Sequence, residues 1–163
     1  MATESFNTLS VHAGEDLDDH FGALSVPIYS ASVFAFPDAD EGAAIHNEVK
    51  LGYYYGRLGN PTTAALEKVM ARLENAESAI AFSSGMAAVT AAVLSVCRSG
   101  DHIVAPASMY STATNLFHYL EDRFGVETTF IDAITAENYR GAARKNTKLF
   151  WLETPSKPID ANY

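Results

Sequence analysis

A chain of 163 residues is long enough for one domain with a core of its own. Eleven basic against twenty acidic residues leave a formal charge of −9, which on average repels nucleic acid and anionic membranes, so neither is an expected partner. One cysteine excludes an internal disulfide framework and a thiolate zinc cluster within one chain; with no apolar run of about 18 residues and no apolar stretch in the acidic start MATESFNTLSVHAGEDLDDH, a cytoplasmic protein is expected.

Residues 1 to about 60 show little periodicity. VPIY (26–29) and SVFAF (32–36) are short apolar runs between turn signals, as in an N-terminal arm that packs on something else. Asn60-Pro61 favours a turn, and Thr62 or Thr63 is the expected cap of a helix over TTAALEKVMARLENA. Leu66, Val69, Met70 and Leu73 fall at i, i+3, i+4 and i+7, one apolar stripe. SAIAF (78–82) reads as a strand. SSGMAAVTAAVLSVCRSG reads as a buried helix holding Cys97 and stopped by Gly100.

HIVAP (102–106) reads as a strand, TATNLFHYLEDRFG (112–125) as a helix with Leu116, Phe117, Leu120 and Phe124 on one face, and VETTFID (126–132) as a strand. TAENYRGAAR (135–144) is a weaker helix and KLFWLET (148–154) a strand. Alternation from about residue 62 onward predicts an α/β domain with a largely parallel sheet and helices on its faces. Ligands in such folds sit at the carboxyl ends of the strands, here the turn at Ser84, Ser108–Ser111, Asp132 and Glu153–Ser156.

The Ser83-Ser84-Gly85 turn opens a helix whose first amides have no intrahelical partner, an anion site suited to phosphate or simply a capped junction. In YYYGRLGNPT (53–62), Tyr55 and Arg57 share one side of an extended segment and could reach one phosphate, or could lie in an exposed loop. Tyr110 either stacks on a flat ligand or enters the core. Glu153 is either a site carboxylate or a cap.

Together, VHAGEDLDDHFGALSVPIY (11–29), YGRLGNPTTAALEKVMARLE (55–74), SSGMAAVTAAV (83–93), GDHIVAPASMY (100–110) and ETPS (153–156) resemble the Cys/Met-metabolism enzymes that use pyridoxal 5′-phosphate (PLP). That family includes cystathionine γ-synthase, cystathionine γ-lyase, methionine γ-lyase and O-acylhomoserine sulfhydrylase. The resemblance implies the aspartate-aminotransferase-like fold (fold type I), with residues 1–60 as arm and clamp loop and 61–163 as an incomplete PLP-binding large domain. It implies Ser84, Gly85 and Met86 at the cofactor phosphate. Tyr55 and Arg57 would bind the phosphate in the neighbouring subunit of a homo-oligomer, a dimer of dimers in the family. Tyr110 would stack on the pyridine ring and shuttle protons, with Glu153 near that ring. A sulfur amino acid or homoserine ester is the implied substrate.

The departures from that pattern also count. In the family, the Schiff-base lysine and the aspartate on the pyridine nitrogen come well after the ETPS loop, and none of Lys50, Lys68, Lys145, Lys148 and Lys157 stands in that context. Lys157 replaces an asparagine that normally faces the phenolic oxygen. The segment STAT after Tyr110 lacks a cysteine of the methionine γ-lyases, which weighs against strict methionine specificity. A catalytically inactive paralogue that folds and joins a full-length subunit is the alternative, and the open sheet edges of an isolated chain predict association.

Overall fold

A computed structural model describes residues 5–14, 21–132 and 135–155, so Ser156 and Lys157 lie outside the described residues. The chain divides into two compact units, Met1–Ala81 and Phe82–Tyr163.

The first unit is more helical than its sequence suggests, with α1 (Phe6–His12), α2 (Ala39–His46) and α3 (Pro61–Leu73). Ser5 caps α1 by accepting from the Thr8 amide, and Asp38 caps α2 by accepting from the Glu41 amide at 2.8 Å. α1 packs on α3 through Gly14, where φ is +85° and a Cβ would stand 2.5 Å from Val69 Cγ2, so only glycine fits. The cap of α3 is Asn60, whose Oδ1 accepts from the Thr62 amide at 2.9 Å, and not either threonine. Thr62 instead ties down the arm: its hydroxyl donates to Pro27 O at 3.0 Å and accepts from the Tyr29 amide at 2.9 Å. The apolar stripe of α3 is largely open, with Leu66 53% and Met70 41% exposed, while Ala65 and Ala71 are buried.

SAIAF (78–82) is not a strand among the described residues. It is extended without a ladder partner, and Ile80 and Phe82 are exposed. The sheet belongs to the second unit and has three described strands, β1 (His102–Pro106), β2 (Glu127–Ile131) and β3 (Thr147–Phe150), in the order β2-β1-β3, all parallel. Between them run α4 (Gly85–Val96), ahead of β1, then α5 (Ser111–Phe124) and α6 (Ala136–Ala142).

β1 is buried along its whole length because both faces of the sheet are covered. On one face Ile103 and Ala105 meet Val93 of α4 and Phe117 and Leu120 of α5. On the other, Val104 meets Ile131 and Tyr139 of α6. α4 is only partly buried, with Leu94 and Val96 about half exposed, and it ends at Val96 before Gly100; buried Cys97 is its C-cap. The glycine that stops a helix is Gly125, left-handed at φ 65° after α5. Phe117 is fully buried while Tyr119 on the same helix is 54% exposed.

One polar network closes the amino edge of the sheet. His102, with no exposed surface, hydrogen-bonds Thr147 Oγ1 through Nδ1 at 2.8 Å and Thr129 Oγ1 through Nε2 at 2.9 Å. Arg144 donates to Thr129 Oγ1 at 3.0 Å, pairs with Glu127, and through its amide donates to Thr147 Oγ1 at 2.7 Å. The three strands are thus cross-linked through one imidazole. Burial, then the Arg144 charge, pushes the His102 pKa down, against smaller opposing effects of Glu127 and Glu121.

Two predictions follow from this packing. Phe117→Ala is expected to cost about 3–5 kcal/mol in urea unfolding and Tyr119→Ala less than about 1 kcal/mol. Because the folded imidazole titrates below its ordinary value of 6.5, its contribution is whole above that pH and is lost as pH falls from there through the folded pKa. Urea midpoints should fall in that window, and His102→Gln should flatten the fall.

Candidate active site

α4 spans 12 residues, about 18 Å at 1.5 Å per residue, and β1 spans 5, about 16 Å. The short turn at 97–101 sends the chain back antiparallel to α4, so the N-terminus of α4 reaches the carboxyl edge of the sheet. There Ser84 is the N-cap. Its oxygen accepts from the Ala87 amide at 3.1 Å and its carbonyl from the Ala88 amide at 3.2 Å. The amides of Gly85 and Met86 are left as donors with no intrahelical partner, and the Ser84 hydroxyl proton remains available. A Cβ on Gly85 would meet no protein atom within 4 Å, so no protein packing requires a glycine there. Open space over two unpartnered amides is what a phosphate needs.

Tyr110 and Glu153 meet at the same edge. Tyr110 ends the loop after β1 as the N-cap of α5, with its ring about half exposed. Its amide donates to Glu153 Oε2 at 2.8 Å, and the Trp151 indole donates to Glu153 Oε1 at 3.1 Å. Glu153 thus braces a helix entry, the capping role its position at a strand end allowed. Trp151, which the sequence reading passed over, ties this group to the core: its ring meets Phe117 edge-on at 5.6 Å and 85°. Its amide donates to Val104 O at 2.9 Å and its carbonyl accepts from the Tyr139 hydroxyl at 2.7 Å. Burial pushes the Tyr139 pKa up, keeping that donor protonated. Burial and the nearby Asp101 likewise push up the Cys97 thiol, which is a packing residue and no nucleophile.

Tyr55 and Arg57 belong to the first unit. The segment is not extended as expected, since residues 56–58 form a turn; it is this turn that brings the Arg57 guanidinium carbon 4.7 Å from the centre of the Tyr55 ring. Tyr55 bridges Val33, the Gly56 amide donates to Ser32 O at 2.8 Å, and Asn60 Nδ2 donates to Tyr29 O at 2.8 Å. A Cβ at Gly56 would lie 3.1 Å from Ala31 O and 3.3 Å from Ser32 Cα, so any other residue there would push the two segments a few tenths of an ångström apart. The guanidinium is exposed and has no carboxylate partner among the described residues. Beside it opens a groove of about 630 Å³ lined in part by Ser30, Ser32, Asn60 and Thr63. No helix among the described residues is long and apolar enough to cross a membrane, and none of their His, Cys, Asp and Glu side chains cluster as metal ligands.

The chain is similar to known proteins. The chain is 40% identical over 158 residues to the L-methionine gamma-lyase of Fusobacterium nucleatum, covering 97% of this chain and 40% of that protein. It is 40% identical over 152 residues to the cystathionine gamma-lyase of Bacillus subtilis, covering 93% and 38%. A solved structure of a putative O-acetylhomoserine (thiol)-lyase from Campylobacter jejuni, described as carrying a pyridoxyl-lysine monophosphate, superposes with a TM-score of 0.85 at 30% identity, over 95% of this chain and 38% of that one. The chain therefore spans about 40% of the length of these relatives. Its α/β unit carries the fold type I architecture of PLP-dependent enzymes expected from the sequence. Residues 7–161 match the family described as Cys/Met metabolism PLP-dependent enzyme, and the chain belongs to that family.

Proposed function

We propose that this chain supplies the phosphate-binding and ring-stacking part of a PLP-dependent enzyme of sulfur amino-acid metabolism. The reaction is β- or γ-elimination, or γ-replacement, on cystathionine, methionine or an O-acylhomoserine. The observation that carries this reading is the open amide turn at Ser84–Met86 on the same sheet edge as the Glu153-braced Tyr110.

In this reading the Gly85 and Met86 amides and the Ser84 hydroxyl hold the cofactor phosphate, helped by the dipole of α4. Bound PLP supplies an aldehyde that captures the substrate amine and a ring that draws electron density from the adjoining carbon. Tyr110 packs on the face of that ring, and its hydroxyl carries a proton to or from the substrate. Glu153 fixes where Tyr110 starts. Half-buried Tyr55 and exposed Arg57, in contact with each other, reach the cofactor phosphate of a neighbouring copy, so the working form is a homo-oligomer. An apolar stripe left open on α3 suits such association. An inactive partner of a full-length subunit would have the same open stripe, which does not favour that alternative over a homo-oligomer.

Of the described lysines in the second unit, Lys145 and Lys148 stand at the start of β3, the opposite edge of the sheet from the proposed site.

Trp151 is the chain's one tryptophan, so PLP, which absorbs where indole emits, is expected to quench its emission on binding. Gly85→Ala places its Cβ in space empty of protein, so thermal unfolding should change by no more than about 0.5 kcal/mol. PLP affinity should fall about tenfold or more, because the added atoms occupy the phosphate position. Unchanged affinity in that variant would refute the phosphate assignment.

A further inference from the structure

Glu153 has two carboxylate oxygens and two partners, and both partners are donors: the Tyr110 amide at 2.8 Å and the Trp151 indole at 3.1 Å. Only an acceptor-only group satisfies both. Trp151 is itself held in three ways: its ring meets buried Phe117 edge-on, its backbone amide donates to the Val104 carbonyl and its backbone carbonyl accepts from the Tyr139 hydroxyl. Tyr110 has none of this support: it opens α5 without a side-chain cap bond and is 47% exposed. The only described side chain bonded to its amide is Glu153.

We propose that Trp151 is a positioning residue which, through Glu153, sets the location of Tyr110 at the carboxyl edge of the sheet. The indole N–H orients the carboxylate, and the second oxygen then receives the Tyr110 amide. The position of an exposed aromatic at the helix entry is thereby referred back to the buried core at Phe117. The proposal deepens the cofactor reading, on which its link to PLP rests, since Tyr110 is the ring expected over the pyridine.

The test reads Tyr110 directly. Amide hydrogen exchange of the whole chain is followed by NMR for the unaltered protein, Trp151→Phe, Glu153→Gln and the double variant, with the Ile103 and Val104 amides as internal controls for global opening. Trp151→Phe keeps an aromatic against Phe117 and loses the donor together with part of the ring, and the control amides report any loss of packing that follows. Glu153→Gln can satisfy one of the two donors in either orientation of its amide. Each single variant is expected to speed Tyr110 exchange about tenfold, the loss of one bond to a charged acceptor, with the controls unchanged. The double variant should be no faster than Glu153→Gln alone, because the indole acts through that carboxylate.

Unchanged Tyr110 exchange in Trp151→Phe, or effects that multiply in the double variant, would overturn the proposal and leave Trp151 a packing residue. Should Trp151→Phe fail to fold, Glu153→Gln decides with a second reading. Trp151 emission in that variant, without cofactor, must shift with the Tyr110 exchange rate, and a shift in neither sinks the proposal. PLP retention by ultrafiltration is measured on the same proteins. Loss of binding in the unaltered chain with the exchange pattern intact would remove the cofactor reading and leave the positioning of Tyr110 standing.

Discussion

Parallel pairing of β1 with both β2 and β3 constrains the rest of the second unit. Parallel neighbours cannot be joined by a tight turn, so each crossover must carry the chain back along the sheet, and helices do this. Each returning helix then starts at the carboxyl edge, where its unpaired amides and positive dipole end face the same space. The entry of α5 at Tyr110 and the exit of β3 at Glu153 meet because of that connectivity, and the short turn at 97–101 between α4 and β1 carries Ser84–Met86 toward the same edge. The residues come from three separate stretches, and the topology brings them together.

The charge balance at this edge needs an account of its own, because a carboxylate on the same edge as the proposed phosphate turn is unfavourable if left bare. Glu153 is not bare. Both of its oxygens accept from N–H groups, and one of those sits at the positive end of α5. Its charge is spent on the helix entry and the indole, so it supports the site without facing an incoming anion as a free charge. A chain of net charge −9 can hold an anion this way, since the donors that matter are oriented amides within a few ångströms while the acidic side chains are spread over a screened surface.

Strands and helices from β1 onward were legible because their patterns are strong: an unbroken apolar run for β1 and a clear stripe with a left-handed glycine stop for α5. Other elements were misread for physical reasons. SAIAF has the composition of a strand, but a strand needs a neighbour to share its hydrogen bonds, and none is present among the described residues. α1 and α2 span seven and eight residues, too short for periodicity to register, although Asp38 followed three residues later by Glu41 is a cap signal a closer reading would have found. The stripe on α3 was correctly seen as apolar, yet periodicity reports an amphipathic helix and not what covers it. At the proposed site, residue types alone singled out Ser84, Gly85 and Tyr110 as candidates. Trp151 stayed hidden because its role depends on a hydrogen bond to a residue two positions on, at a bend no pattern rule describes.

The clamp loop shows how far local physics alone can prepare a functional group. Asn60 does two jobs from one side chain: Oδ1 caps α3 and Nδ2 holds the Tyr29 carbonyl, so the helix start and the arm are fixed together. Thr62, one turn in, holds the arm on both sides of Tyr29. Between them the Leu58 and Gly59 amides both donate to Tyr55 O, closing a tight turn that carries Arg57 at its tip. Long flexible arginines lose entropy when they bind, and part of that loss is met in advance when the guanidinium is already held over an aromatic ring. Arg57 lies over the Tyr55 ring and remains exposed to solvent. Every contact that builds this arrangement comes from residues 27–62, so the first unit orients its cation without help from the second. A group prepared in that manner is suited to act on a ligand brought to it, the behaviour required of a residue that serves a neighbouring copy's site.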